Sequence, residues 1–111
     1  MKSFVSLNKN RDFIRAYKKG LSVVTPCLAL YIRPNGRDCN RVGLTVNKKI
    51  GKAVVRNRTK RIMRAGYRQL MPQLKTGYDF IIVARNSTPY RKSQDIYKAL
   101  YGAALRNDLL I

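Results

Sequence analysis

RVGLTVNKKIGKAVVRNRTKRIMRAGYRQLM, residues 41–71, changes character at Gly51-Lys52, and that change decides how the chain folds. Arg41 to Lys48 reads as a strand. From Ala53 the apolar residues recur at helical spacing, which predicts a helix over about Ala53 to Met71, stopped by Pro72. At 100° per residue, Val55, Thr59, Ile62, Met63, Gly66 and Leu70 fall on one side. Asn57, Lys60, Arg61, Arg64 and Arg68 fall on the other, with Arg56 at one margin and Arg58 at the opposite one. One side can dock on a sheet while the other presents cations over several turns.

Upstream, Pro34-Asn35-Gly36 supplies turn chemistry, and Leu21 to Arg33 is rich in strand formers but interrupted at Pro26. Pro26 cannot donate to a ladder, so it marks an edge or a bulge. The strand before the turn and the strand from Arg41 are expected to pair as a hairpin. Leu28, Leu30 and Ile32 point one way, Cys27, Ala29 and Tyr31 the other. Asn8 to Lys19 is expected to be a first helix, capped by Asn8 or a neighbour and closed at Gly20.

Downstream, Phe80-Ile-Ile-Val-Ala is the continuous apolar run of a central strand, within Tyr78 to Arg85. Ser93 is a fitting N-cap for a last helix ending near Arg106, with Asp95 in its first turn. The order is α-β-β-α-β-α: an α+β fold, a two-layer α/β sandwich of a small sheet carrying helices. No repeat or linker divides residues 1–111, so one domain is expected.

Lys and Arg number 24 against five acids, all Asp, for a formal charge of +19. A folded domain so unbalanced repels itself, which calls for a polyanionic partner rather than a merely solubilising surface. Eleven of the cations, from Arg41 to Lys75, fall between Asp38 and Asp79, where no acid occurs. Basic amphipathic helices also bind membranes, but here the apolar side contains Thr59 and Gly66 and the chain has no Trp. Nucleic acid is the favoured partner. Arg offers a planar fork for phosphate oxygens, and Asn57 an amide that can read a base or a 2′-hydroxyl.

With no His and no Glu, the imidazole base and most paired-carboxylate arrangements are unavailable. Cys27 and Cys39 are too far apart for a C-x-x-C site, and no zinc site is expected. Their isolation suits a reducing compartment. The N-terminus lacks the apolar stretch of a secretory signal, and no run is long enough to span a membrane, so a cytoplasmic protein is expected. Phe13, Tyr17 and Tyr31 are candidates for stacking single-stranded bases, with Arg11, Arg15, Lys18 and Lys19 around them. Ordinary packing of an amphipathic helix on a sheet explains the same spacing. Tyr90, Tyr97 and Tyr101 are expected in the core or at the rim of the last helix.

The segment Arg41 to Arg61 fits R-V-G-L-x-V-x-K-K-x-G-x-A-V-x-R-N-R-x-K-R without a gap, and so strongly resembles the signature of the bacterial ribonuclease P protein subunit. Asp12-Phe13, Leu30-Tyr31 and Ile82-Val83-Ala84-Arg85 also fit, and the likeness covers nearly the whole chain. The resemblance implies an α/β sandwich with a left-handed βαβ crossover. It implies that Arg56, Asn57, Arg58, Lys60, Arg61 and Arg64, with Lys48, Lys49, Lys52 and Arg68, dock a catalytic RNA. It further implies that Arg11, Phe13, Arg15, Tyr17 and Tyr31 line a cleft for the single-stranded 5′ leader of precursor tRNA. The chemistry then belongs to the RNA and its Mg²⁺ ions, and the protein relieves charge and grips substrate. The sequence departs from the pattern in its short segment before the first helix and at Asn86, where many relatives carry a basic residue. The competing readings are a ribosomal or other structural RNA-binding protein with no role in cleavage, and a protein-only nuclease using Asp and metal. The second needs carboxylates to converge, and the Asp spacing suggests no such site.

Overall fold

The run Phe80–Ala84 has no polar side chain to turn toward water and so needs cover on both faces. In the computed structural model, which describes residues 5–7 and 9–111, it lies in β4 (Tyr78–Ala84), an inner strand of a four-stranded sheet. The other strands are β1 (Leu21–Val24), β2 (Leu28–Pro34) and β3 (Arg41–Thr45), in the spatial order β1-β2-β4-β3. The helices are α1 (Asn10–Lys19), α2 (Ala53–Leu70) and α3 (Ser93–Arg106). The α+β class expected from the sequence is what the chain adopts.

Two strand pairings differ from expectation. β2 and β3 do not form a hairpin. β4 enters between them, antiparallel to β2 and parallel to β3, so that β3-α2-β4 is a crossover between neighbouring parallel strands. The Pro34–Asn40 segment still turns: Gly36 has φ +69° and Asn35 Oδ1 accepts from the Arg37 N–H. It bridges across the end of β4, the Asn35 N–H donating to the Gly77 carbonyl just before that strand. The true hairpin is β1–β2, and the interruption at Pro26 is its reversal, closed by the Thr25 N–H and hydroxyl on the Leu28 carbonyl. The order along the chain is therefore α-β-β-β-α-β-α.

Alternation along each strand divides the core. Leu28, Leu30, Ile32, Val42, Phe80 and Ile82 face α2 and α3, meeting Met63, Tyr67, Leu70, Ile96 and Leu100. Ile81, with Tyr31 and Val83 partly buried, faces α1 through Ala16 and Phe13. α2 and α3 approach closely because residue 66 is glycine: a Cβ there would stand 2.7 Å from the Ile96 side chain. The segment Val5–Leu7 adds to the outer edge of β3, exchanging backbone bonds with Val42.

The N-cap role considered for Asn8 falls outside the described residues. The first helix begins at Asn10 after Lys9, and the Gly20 N–H donates to Ala16 at its end. Ser93 is the first residue of α3 rather than its cap. The Asp95 carboxylate accepts from the Lys92 N–H and closes that terminus. Tyr90 is 85% exposed, not in the core, whereas Tyr97 and Tyr101 pack against it as expected. Among the described residues no helix is long and apolar enough to cross a membrane.

Candidate nucleic-acid interface

α2 is anchored by Thr59, Met63, Gly66, Tyr67 and Leu70, all buried. The buried Thr59 hydroxyl is satisfied by the Val55 carbonyl at 2.7 Å. Tyr67 escapes the apolar side drawn from the sequence, yet its ring is 2% exposed and lies 6.0 Å from that of Phe80. Burial pushes its phenol well above the ordinary range, so it stays protonated. With that side fixed, Asn57, Arg58, Arg61 and Arg68 are exposed, while Arg56, Lys60 and Arg64 are half-buried along their stems. No carboxylate among the described residues lies within ion-pair distance of Arg56, Arg58, Lys60, Arg61 or Arg64.

Lys48 and Lys49 are exposed in a short 3₁₀ turn, Lys48–Ile50, and Lys52 sits at the N-cap of α2 without a side-chain capping bond. There is no acid in the first turn of α2. The positive end of the helix dipole thus coincides with three lysines, an arrangement that draws anions.

The cation at the start of the same stretch is used differently. Arg41 Nε and Nη2 donate to the two oxygens of Asp79 at 2.8 and 2.7 Å, and Nη1 lies 3.6 Å from Asp12. Asp79 is 1% exposed and also accepts from Asn35 at 2.9 Å. Bonding to Asp79 is the main cause that raises the already high pKa of Arg41. Two of the five acids therefore meet at one guanidinium, which local spacing could not show, and that guanidinium ties α1, β3 and β4 together. No group of three His, Cys, Asp or Glu able to hold a metal ion exists among the described residues.

On the other face of the sheet, Phe13, Tyr17 and Tyr31 come together. The rings of Tyr17 and Tyr31 meet edge to face at 4.8 Å, and Phe13 lies 6.5 Å from Tyr17. Their seat explains a glycine of the motif: a Cβ on Gly43 would come within 2.6 Å of the Phe13 ring. The Tyr17 hydroxyl is 3.3 Å from Thr45 Oγ1, and Tyr17 remains 41% exposed. α1 leaves the row Ala29, Val83 and Thr45 only partly covered, so the aromatic cluster borders an open floor. Arg11 and Arg15 are exposed but stand about 160° and 200° round the helix from Phe13, away from the cluster. The cations nearest this floor along the chain are Lys48, beyond β3, and Arg85, beyond β4.

These features define a class of small, strongly cationic α+β domains with a charged helix on one face of the sheet and an aromatic cluster on the other. The sequence profile described as Ribonuclease P matches residues 1–107, and the chain belongs to the ribonuclease P protein family. It is 44% identical over 100 residues to the ribonuclease P protein component of Alkaliphilus oremlandii, covering 90% of this chain and 88% of that one. With the component from Clostridioides difficile the identity is 39% over 106 residues, 95% and 93% of the two chains. The fold superposes on the Staphylococcus aureus RNase P protein with a TM-score of 0.83 at 30% identity, over 98% of this chain and 100% of that one. For the Thermotoga maritima RNase P protein the TM-score is 0.80 at 28% identity, over 91% and 96%. The chain is thus a protein component of an endoribonuclease, which sets aside the ribosomal reading.

Proposed function

We propose that this protein binds the catalytic RNA of ribonuclease P through α2 and holds the single-stranded 5′ leader of precursor tRNA in the aromatic cleft. The observation that carries the first half is that Arg56, Arg58, Lys60, Arg61 and Arg64 on α2 have no carboxylate within ion-pair distance among the described residues. Phosphates repeat along an RNA backbone, and a helix locked into the core presents cations to them without first ordering a loop. Arg56, Asn57, Arg58, Lys60, Arg61, Arg64 and Arg68 form the docking face, with Lys48, Lys49 and Lys52 at its entry. If about six to eight phosphates are met, affinity falls with salt at roughly 0.7–0.9 per contact on a log–log scale.

For the second half, Phe13, Tyr17 and Tyr31 supply ring faces and edges for unstacked bases, and the half-covered floor gives them room. Lys48 and Arg85 supply charge there more directly than Arg11 and Arg15 do. The residues do not suit a protein-held Mg²⁺ ion, since Asp12 and Asp79 are already engaged by Arg41. In this reading Mg²⁺ belongs to the RNA and substrate. The protein lowers the repulsion between RNA segments and favours precursor, which has a leader, over product, which has none.

The test is cleavage of a precursor tRNA by a bacterial ribonuclease P RNA at low Mg²⁺, with and without this protein. The protein alone is expected to be inactive, and its addition to restore cleavage at the mature 5′ end. Tight RNA binding with unchanged cleavage by a cognate RNA would overturn the reading.

A further inference from the structure

A hollow of about 510 Å³ lies on neither of the surfaces above. It runs between the β1–β2 turn and α3, with Val24, Pro26, Ala99 and Gly102 among its lining. Arg91, Lys98 and Arg106 line it against a single acid, Asp95, whose carboxylate already accepts the Lys92 N–H. None of the three cations has a carboxylate within ion-pair distance among the described residues. Tyr90, the chain neighbour of Arg91, is 85% exposed. Lys98 and Arg106 are exposed and Arg91 is half-buried. Such cations, with an exposed tyrosine next to Arg91 in the chain, match the chemistry of a single-stranded nucleic acid.

This hollow neighbours the end of β4 through one shared lining residue. A second hollow of about 430 Å³, lined by Pro26, Arg85, Asn86 and Ser87, shares Pro26 with the first. Arg85 directly follows β4, whose Val83 forms part of the open floor beside the aromatic cluster. The rim between the hollows is fixed. Arg85 Nη1 donates to the Thr25 carbonyl, the Ser87 hydroxyl to that of Pro26, and the buried Thr88 hydroxyl to that of Cys27, at 2.7, 2.6 and 2.6 Å.

We infer that the groove between the β1–β2 turn and α3 is a further single-stranded RNA site, which takes the 5′-distal part of a long leader after it leaves the cleft across Pro26 and Arg85. Arg91, Lys98 and Arg106 contact its phosphates and Tyr90 stacks on a base. The inference rests on the leader reading of the aromatic cleft. It makes leader length a determinant of affinity: a short leader ends in the cleft, and a long one reaches α3.

The experiment compares reconstituted holoenzyme on two precursors that differ only in leader length, about four and about sixteen nucleotides. Lys98→Ala with Arg106→Ala, both exposed positions, is expected to weaken binding of the long-leader precursor by about tenfold and to lower its salt slope by roughly 1.4. Binding of the short-leader precursor stays at wild-type strength. Tyr90→Ala reproduces the length dependence without changing charge. Equal weakening at both lengths, or none at the long one, overturns the inference. Failure of the cleft reading looks different: Phe13→Ala with Tyr31→Ala would then leave even the short-leader precursor bound as tightly as by wild type.

Discussion

Arg41 and Arg56 stand fifteen residues apart in one basic stretch, and their surroundings give them opposite tasks. Arg41 is held by the buried Asp79 and by Asp12, and its charge is consumed inside the protein. Arg56, Arg58, Lys60, Arg61 and Arg64 on α2 have no such partner among the described residues, so their charge remains available to whatever docks there. A row of arginines in a motif is thus not one functional unit. The strand half of the stretch builds the sheet, and the helix half meets the RNA.

Arg41→Ala is the sharpest way to test that division. It leaves Asp79 buried and without its cation, so about 3–5 kcal/mol of stability should vanish in urea unfolding. RNA affinity per folded molecule should stay near wild type. A stable variant with weakened RNA binding would place Arg41 with the docking cations instead. Gly43→Ala should cost about 1–3 kcal/mol, because the Phe13 ring must leave its seat, and precursor affinity should fall with it. Arg56→Ala with Arg58→Ala should move stability by no more than about 0.5 kcal/mol. It should also lower the salt slope of binding to the catalytic RNA by roughly 1.4–1.8. Unfolding seen by circular dichroism would show that these side chains are structural after all.

The smallest effect concerns the two free thiols. Cys27 is buried and Cys39 partly exposed, so iodoacetamide should label Cys39 first. Burial is the main cause raising the Cys27 thiol, with Arg91 opposing and Asp95 adding to the rise. A raised thiol favours folding while it is neutral. Its contribution is complete below the unfolded thiol's pKa and is lost as pH climbs through the folded value. A Cys27→Ala variant should therefore lose less stability than wild type between neutral and alkaline pH.

α2 and its two sides were legible because eighteen residues of helical period carry a strong signal. Tyr67 was missed because spacing places a residue on a wheel but does not say how far the neighbouring sheet reaches round it. The turn chemistry at Pro34-Asn35-Gly36 was read correctly as a turn and wrongly as a hairpin. Local signals say where the chain bends, while the partner of a strand depends on which segment most needs cover. Phe80–Ala84 needs it on both faces and takes the inner position that a β2–β3 hairpin would have closed. The aromatic cluster was visible as an i, i+4 pair plus Tyr31. The hollow beside α3 was not, because Pro26 and Arg91 meet only after the sheet has formed.

That inner place of β4 sets a condition on the making of the protein. β2 pairs with β4 at separations of some fifty residues, such as Leu30 with Ile82, and β3 must wait for all of α2 before its parallel neighbour arrives. On a ribosome, a nascent chain that ends before Tyr78 exposes two strand edges across an unfilled slot. The last strand synthesised is the one that closes the sheet. Folding is therefore expected to be slow for a chain of this length, paced by a distant pairing rather than by its helices.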